Sequence, residues 1–374
     1  MMRQRKKTKQ VMAGSLAIGG GAPVSIQSMT SLPIERADDT IEQINRLAGQ
    51  GAELVRVALR SVDSVEYLKK IRAAVTIPLC ADVHFDYRIA VAAIKAGVNK
   101  VRINPGNIGD PKGVIEVVKA AKGSGVPIRI GVNSGSVDRK KFPEVTLESL
   151  VASAMEHVNI LEDNNFSDIV VSIKSHDIAQ TIAANELFSS RRDYPIHAGL
   201  TEAGYGLTCI VQSSVAIGHL LMEGIGDTIR VSMTGDPVEE VIVVRKILES
   251  VGERKAWVRI VSCPTCGRTD PSLDILALAM EADSAVTARF ESYLKKKNRT
   301  LHVAVMGCEV NGPGEAKDAD VGLAGIRDGR MVLFAKGEKV KVVDSRDAIA
   351  ALIEEIGKLL NEDYFSQSNV LLEL

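Results

Sequence analysis

Eight short runs rich in β-branched and aliphatic residues recur along the first two thirds of the chain, at Val24–Thr30, Leu54–Leu59, Pro78–His84, Lys100–Pro105, Pro127–Asn133, Asp168–Lys174, Pro195–Thr201 and Asp227–Met233. Between them apolar positions fall at helical spacing, as at Ile41, Ile44, Leu47 and Ala48, then Val62, Val65, Leu68 and Ile71, then Val114, Ile115, Val117, Val118 and Ala121. Strands alternating with amphipathic crossovers predict parallel pairing. Gly51, Gly97 and Gly125 stand where a left-handed residue would stop a helix before the next strand. Eight such units over roughly 235 residues match a (β/α)8 barrel, for which about 250 is typical. A doubly wound open sheet is the runner-up, but its Gly-x-Gly-x-x-Gly fingerprint is absent from the first strand-to-helix turn.

From Trp257 the rhythm changes. A strand (Trp257–Ser262), a long helical stretch (Ser272–Leu294), a strand (Leu301–Met306), a glycine-rich loop, two strands flanking Asp328-Gly329, a strand ending at Asp344 and a helix from Arg346 predict an α+β domain. The expected organisation is therefore a TIM barrel over residues 1–255 and a smaller α+β domain over 256–374.

The 46 basic and 47 acidic residues leave a net charge of −1, which argues against a protein that coats nucleic acid, and 4% aromatic residues offer few stacking platforms for bases. No apolar run approaches the ~20 residues that span a bilayer, and the basic N-terminus lacks a signal-peptide core. The expectation is a cytoplasmic protein without membrane or nucleic-acid partners. Five cysteines are too few, and an odd number, for a disulfide scaffold, which leaves metal binding or buried thiols.

Four strands share one local pattern, Val55-Arg56-Val57, Val101-Arg102-Ile103, Ile128-Arg129-Ile130 and Ile229-Arg230-Val231. Side chains alternate along a strand, so if the apolar neighbours meet the helices, the arginines point into the barrel. Bare buried charges are costly, and the strands offer only Asp82, Glu202 and Asp86 as inward acids. One inward arginine is commonly an ion pair; four favour an anionic ligand, because guanidinium forks match phosphate oxygens. Strand ends, where barrel chemistry gathers, add His84, Asn104, Asn133, Ser172, Lys174, His197, Thr201, Glu202 and Ser232. Lys174 has two readings, phosphate binding or a Schiff base with a carbonyl substrate.

Cys263-Pro264-Thr265-Cys266-Gly267 opens the second domain, and Cys308 follows 41 residues later at the end of a strand. Structural zinc is one reading, but zinc normally wants four protein ligands and no second Cys-x-x-Cys is present. Three thiolates suit a [4Fe-4S] cluster with one iron left for another ligand. The loop Glu309-Val310-Asn311-Gly312-Pro313-Gly314-Glu315 brings Glu315 into consideration as that ligand or as an acid. Cys80 and Cys209 read as buried small hydrophobes.

Taken together these motifs resemble the 4-hydroxy-3-methylbut-2-enyl diphosphate synthases of the non-mevalonate isoprenoid pathway, in their compact bacterial two-domain form. The likeness rests on Ile18-Gly19-Gly20 with Ser25-Ile26-Gln27-Ser28-Met29-Thr30, Ala81-Asp82-Val83-His84-Phe85, Arg102-Ile103-Asn104-Pro105-Gly106, Ile130-Gly131-Val132-Asn133, the run His197 to Gly204, Ser262 to Arg268, and Met306 to Glu315. The resemblance implies an iron-sulfur oxidoreductase that opens the ring of 2-C-methyl-D-erythritol 2,4-cyclodiphosphate with two electrons. It implies a cluster held by Cys263, Cys266 and Cys308, with Glu315 as a displaceable fourth ligand. Arg56, Arg102, Arg129, Asn133, Lys174 and Ser232 carry over as diphosphate contacts, and Thr201 and Glu202 as groups near the reacting end. His84, Asn104, Ser172 and Arg230 join them from strand-end position alone. A flavodoxin or ferredoxin donor is implied, as is a homodimer in which one subunit's cluster domain caps the other's barrel. The competing expectation is a Lys174 lyase or aldolase of phosphorylated sugars with a zinc-stiffened accessory domain.

Overall fold

The computed structural model describes residues 3–104, 111–308 and 319–365. It divides into two compact units, Met1–Arg254 and Lys255–Leu374. In the first unit eight parallel strands form one sheet: β3 (Ser25–Met29), β4 (Leu54–Leu59), β5 (Leu79–Val83), β6 (Lys100–Ile103), β7 (Ile128–Asn133), β8 (Ile169–Lys174), β9 (His197–Ala198) and β10 (Thr228–Ile229). β10 pairs with β3, and the remaining edges, β8 and β9, are joined by a bridge between Val171 and Ile196, which closes the ring. The last two strands shrink to two residues each, because only that part of Pro195–Thr201 and Asp227–Met233 keeps ladder pairing, β9 with β10 alone and β10 with both β9 and β3.

Helices α1 (Ala37–Gly49), α2 (Ser64–Ala74), α3 (Tyr87–Lys95), α4 (Pro111–Ser124), α5 (Leu147–Asp163), α6 (Ile178–Arg191), α7 (Gly206–Met222) and α8 (Pro237–Ser250) are the crossovers. Gly51, Gly97 and Gly125 follow α1, α3 and α4 with φ of 106°, 88° and 63°, the left-handed stop expected of them. Val55 and Val57, Val101 and Ile103, and Ile128 and Ile130 are fully buried in the large cluster between strands and helices, so the alternate positions face the barrel axis.

One element was not foreseen. Residues Val11–Ala13 (β1) and Leu16–Ile18 (β2) make an antiparallel hairpin around Gly14, whose φ is 63°. Val11, Ala13 and Ile18 pack on Leu54, Cys80 and Val170, which stand at the N-terminal ends of their strands. The hairpin thus fills that end of the barrel with apolar side chains.

The second unit is a five-stranded sheet in the order β11 (Val258–Ser262), β12 (Leu301–Met306), β13 (Val321–Gly325), β14 (Arg330–Ala335) and β15 (Glu338–Asp344). The first three strands run parallel and the last two antiparallel. Leu301, Val303 and Val305 of β12 meet α9 (Ile275–Lys296) and α10 (Ala348–Phe365), while Ala304 and Met306 pack on the other face with Ala324, Phe334 and Cys263. β11 and β12 end side by side, and the loops that leave them carry the Cys-x-x-Cys turn and Cys308.

Candidate functional site

At the C-terminal ends of the barrel strands lies a cavity of about 280 Å³ lined by Arg56, Asp82, His84, Arg102, Arg129, Gly131, Asn133, Ser172, Lys174, Leu200, Thr201, Arg230 and Ser232. Ladder register explains the gathering. Asp82 is the cross-strand partner of Arg102, Arg102 of Arg129, Gly131 of Ser172, and Asn133 of Lys174, so successive strands place these side chains on one inner face. Gly131 contributes its missing side chain, since a Cβ there would stand 2.6 Å from Arg102 Nε.

Of the residues expected in this site, Asn104 is buried but does not line the cavity. Glu202 is exposed and does not line the cavity, although it follows the lining residue Thr201, and its backbone is left-handed with φ of 56°. His197 is fully buried at the start of β9, beside Thr228, and does not reach the cavity. Asp86 is not an inward acid either: it caps α3, accepting from the Arg88 backbone N–H.

The charges are arranged unequally. Asp82 accepts from Arg102 Nη1 at 3.0 Å and stands 3.6 Å from Arg56 Nε. Burial by itself would raise the Asp82 carboxyl, but Arg56, the hydrogen bond with His84, Arg102 and Arg129 outweigh it and hold it well below the usual carboxylate range. Arg230 forks onto Glu240, with Nη2 to Oε1 at 3.0 Å and Nε to Oε2 at 3.1 Å. Glu240 also accepts from the Met233 backbone N–H, so one buried carboxylate holds both Arg230 and the chain beside Ser232. It sits in the first turn of α8, behind the Asp236 cap and Pro237. Those two residues are a readable helix start, yet nothing in the sequence pattern says that this turn points inward.

Five cationic side chains therefore line the cavity against two carboxylates, one of them set behind it. Arg129 is almost wholly buried, and its Nε has no protein partner. Burial, then Arg129, Arg230 and Arg56, push the Lys174 ammonium well below the ordinary lysine range. A surplus of buried positive charge in a closed ring of strands favours a ligand carrying at least two negative charges.

In the second unit Cys263, Cys266 and Cys308 line one small cavity of about 90 Å³ with Pro264, Thr265, Arg268, Thr269 and Met306. The Gly307 backbone N–H donates to Cys263 Sγ at 3.1 Å, and Arg268 hydrogen-bonds the Cys308 sulfur beside Cys266. A Cβ on Gly307 would meet Thr269 Oγ1 at 2.4 Å, so the chain approaches the thiols as closely as it does only with glycine there. Among the described residues no three His, Cys, Asp or Glu side chains converge on a point that would hold a single metal ion. Three thiols around one cavity, with no second Cys-x-x-Cys in the chain, are a donor set that suits an iron-sulfur group. Glu315 lies outside the described residues. Cys80 and Cys209 are fully buried within the first unit, and burial raises both thiols.

Comparison with known proteins agrees with both halves. Residues 8–245 match the GcpE TIM-barrel domain, and residues 259–358 match the GcpE protein C-terminal domain. The chain is 46% identical over 366 residues to a 4-hydroxy-3-methylbut-2-en-1-yl diphosphate synthase (flavodoxin) of Caldanaerobacter subterraneus subsp. tengcongensis, covering 97% of this chain and 100% of that protein. It is 48% identical over 359 residues to the protein of the same description from Clostridium acetobutylicum, covering 95% and 100%. The counterpart from Thermotoga petrophila is 47% identical over 354 residues, covering 95% and 98%.

Proposed function

The chain belongs to the GcpE family across both of its domains, and on that premise we propose that it reduces 2-C-methyl-D-erythritol 2,4-cyclodiphosphate to 4-hydroxy-3-methylbut-2-enyl diphosphate. The balanced reaction consumes the cyclic diphosphate, two electrons and two protons, and yields the allylic diphosphate and water. It is an iron-sulfur oxidoreductase of isoprenoid precursor synthesis, supplied by flavodoxin, and it works in the cytoplasm. The observation that carries the reading from the chain's own residues is the cationic cavity, whose surplus charge matches a diphosphate and whose placement matches barrel chemistry.

In this reading Arg56, Arg102, Arg129 and Lys174 bind the diphosphate by charge, and Asn133, Ser172 and Ser232 complete its hydrogen bonds. Arg230 contributes the face of its guanidinium not taken by Glu240, and His84 is held toward the ligand by Asp82 and Arg102. Fixing both phosphates leaves the carbon skeleton toward Thr201 and Glu202, which hold the departing hydroxyl and handle its proton. Cys263, Cys266 and Cys308 hold a [4Fe-4S] cluster, with Glu315 as its displaceable fourth ligand. When bound, that cluster supplies the two electrons one at a time, together with a Lewis-acidic iron. Lys174 serves as a cation once the diphosphate is bound, because the anion offsets the burial and the arginines that depress its ammonium in the free protein.

We assign the working state as a homodimer. Leu207, Val211, Val215 and Met222 make a stripe along α7 that is 48–76% exposed, and Ile242 of α8 lies exposed as well, an apolar face suited to a second copy. Anaerobic protein reconstituted with iron and sulfide should carry about four of each per chain and convert the cyclic diphosphate with reduced flavodoxin. Absence of cluster, or of turnover with the cluster intact, overturns the reading.

A further inference from the structure

Met29 closes β3 at a position the reaction has no evident use for, yet two of the arginines in the cavity lean on it. It is the cross-strand partner of Arg56, so both side chains stand on the inner face. Arg56 Nε lies 3.1 Å from Met29 Sδ, with Nη2 directed at the same atom, and Arg230 Nη1 approaches from the strand on the other side at 3.5 Å. A thioether is a weak acceptor, whereas carboxylates are available nearby: Asp82 stands 3.6 Å from Arg56 Nε, and Glu240 takes the other edge of Arg230. The two guanidinium groups are thus held splayed by an atom that stabilises their position without competing strongly for their N–H donors.

We propose that Met29 is a positioning residue, a weak-acceptor rest that parks Arg56 and Arg230 at the mouth and yields them to the diphosphate at little cost. The reasoning is one of exchange. A ligand gains from an arginine only the difference between the new hydrogen bonds and the ones given up, so a sulfur partner leaves nearly the whole phosphate interaction available. A full-strength acceptor at the same point would hold the arginines back. An acceptor-free side chain would let Arg56 settle onto Asp82. Both changes weaken binding, the first more than the second.

This rests on the diphosphate reading of the cavity, and the test separates the two. Binding of the cyclic diphosphate is measured by calorimetry on cluster-loaded protein without reductant, and turnover is measured with it. Met29→Leu, nearly equal in volume, should weaken binding about threefold, and Met29→Gln, which places an amide oxygen near the sulfur position, about tenfold or more. In both, KM rises while kcat, cluster absorbance and melting temperature stay near those of the unaltered protein. Arg56→Ala is the control. If it binds like the unaltered protein, the diphosphate reading of the cavity fails. If Arg56→Ala loses binding while both Met29 variants bind normally, the present inference fails alone. Should Met29→Gln not fold, the Leu variant decides, with unchanged affinity counting against the proposal.

Discussion

The two sites of this chain are built in opposite ways. The barrel cavity takes its charged groups from neighbouring strands in ladder register, buried and mutually crowded, with Arg102, Arg129 and Lys174 all less than a tenth exposed. The cysteine cavity takes its thiols from two loops leaving adjacent parallel strands, with Cys266 open to solvent. In the first, backbone hydrogen bonds fix the geometry, and the cost is electrostatic. In the second, a tight turn and N–H to sulfur contacts from Gly307 and Arg268 set the approach, and the proposed cluster would supply the rest of the stability. The difference teaches that ligand binding and cluster retention should come apart under mutation.

The strongest test of that separation is loss of a thiol. Cys263→Ser, Cys266→Ser or Cys308→Ser should each lower activity more than about 1,000-fold, as iron and acid-labile sulfide are lost, while calorimetry still shows cyclic diphosphate binding. Cys80→Ala and Cys209→Ala should keep the cluster. Ligand binding that vanished together with the cluster would break the comparison.

Next in size is Arg129→Met. Removing a buried cation without an Nε partner should weaken diphosphate binding about 100-fold, yet raise the melting temperature of the ligand-free protein by about 2–4 °C. A calorimetric scan and a binding titration read the two signs, and cluster absorbance should not change.

A smaller effect is expected from pH. Burial and the neighbouring arginines depress Lys174 in the free protein, and a bound anion favours its ammonium form. Below the depressed pKa the ammonium is already present, so affinity is level. As pH rises through that pKa, each binding event takes up a proton and affinity falls by up to about tenfold per pH unit. Titrations in buffers of different ionisation enthalpy should show this uptake, and its absence would mean that Lys174 stays charged without ligand. Gly307→Ala brings the mildest change, about 1–3 kcal/mol of stability in the second unit from the clash with Thr269, with barrel binding untouched. Denaturant unfolding monitored at Trp257 would measure it.

Much of the barrel was legible because its signals are local. Period-two alternation around Arg56, Arg102 and Arg129 names the inner face, and the glycines after α1, α3 and α4 mark where helices stop. The Cys-x-x-Cys turn and the distant Cys308 were equally plain as candidates, but only the parallel pairing of β11 and β12 shows that the three thiols leave neighbouring strands. Three features escaped. Glu240 was unreadable because its direction depends on how α8 settles on the barrel; Met29 because an apolar strand residue reads as core; and the β1–β2 hairpin because its two strands are three residues each, although Gly14-Ser15 between them was an available turn signal.

The repeat of strand and helix, the change of rhythm near Arg254, the inward-facing arginine positions and the Cys-x-x-Cys turn are all written in the residues, since each follows from backbone periodicity or from spacing along one segment. Only the tertiary structure decided which charges are compensated. Asp82 answers Arg102 from the adjacent strand, Glu240 answers Arg230 from a helix turn, and Arg129 Nε is left unanswered. That choice rests on distances of a few ångströms between groups far apart in the chain, and such distances exist only once the ring of strands has closed.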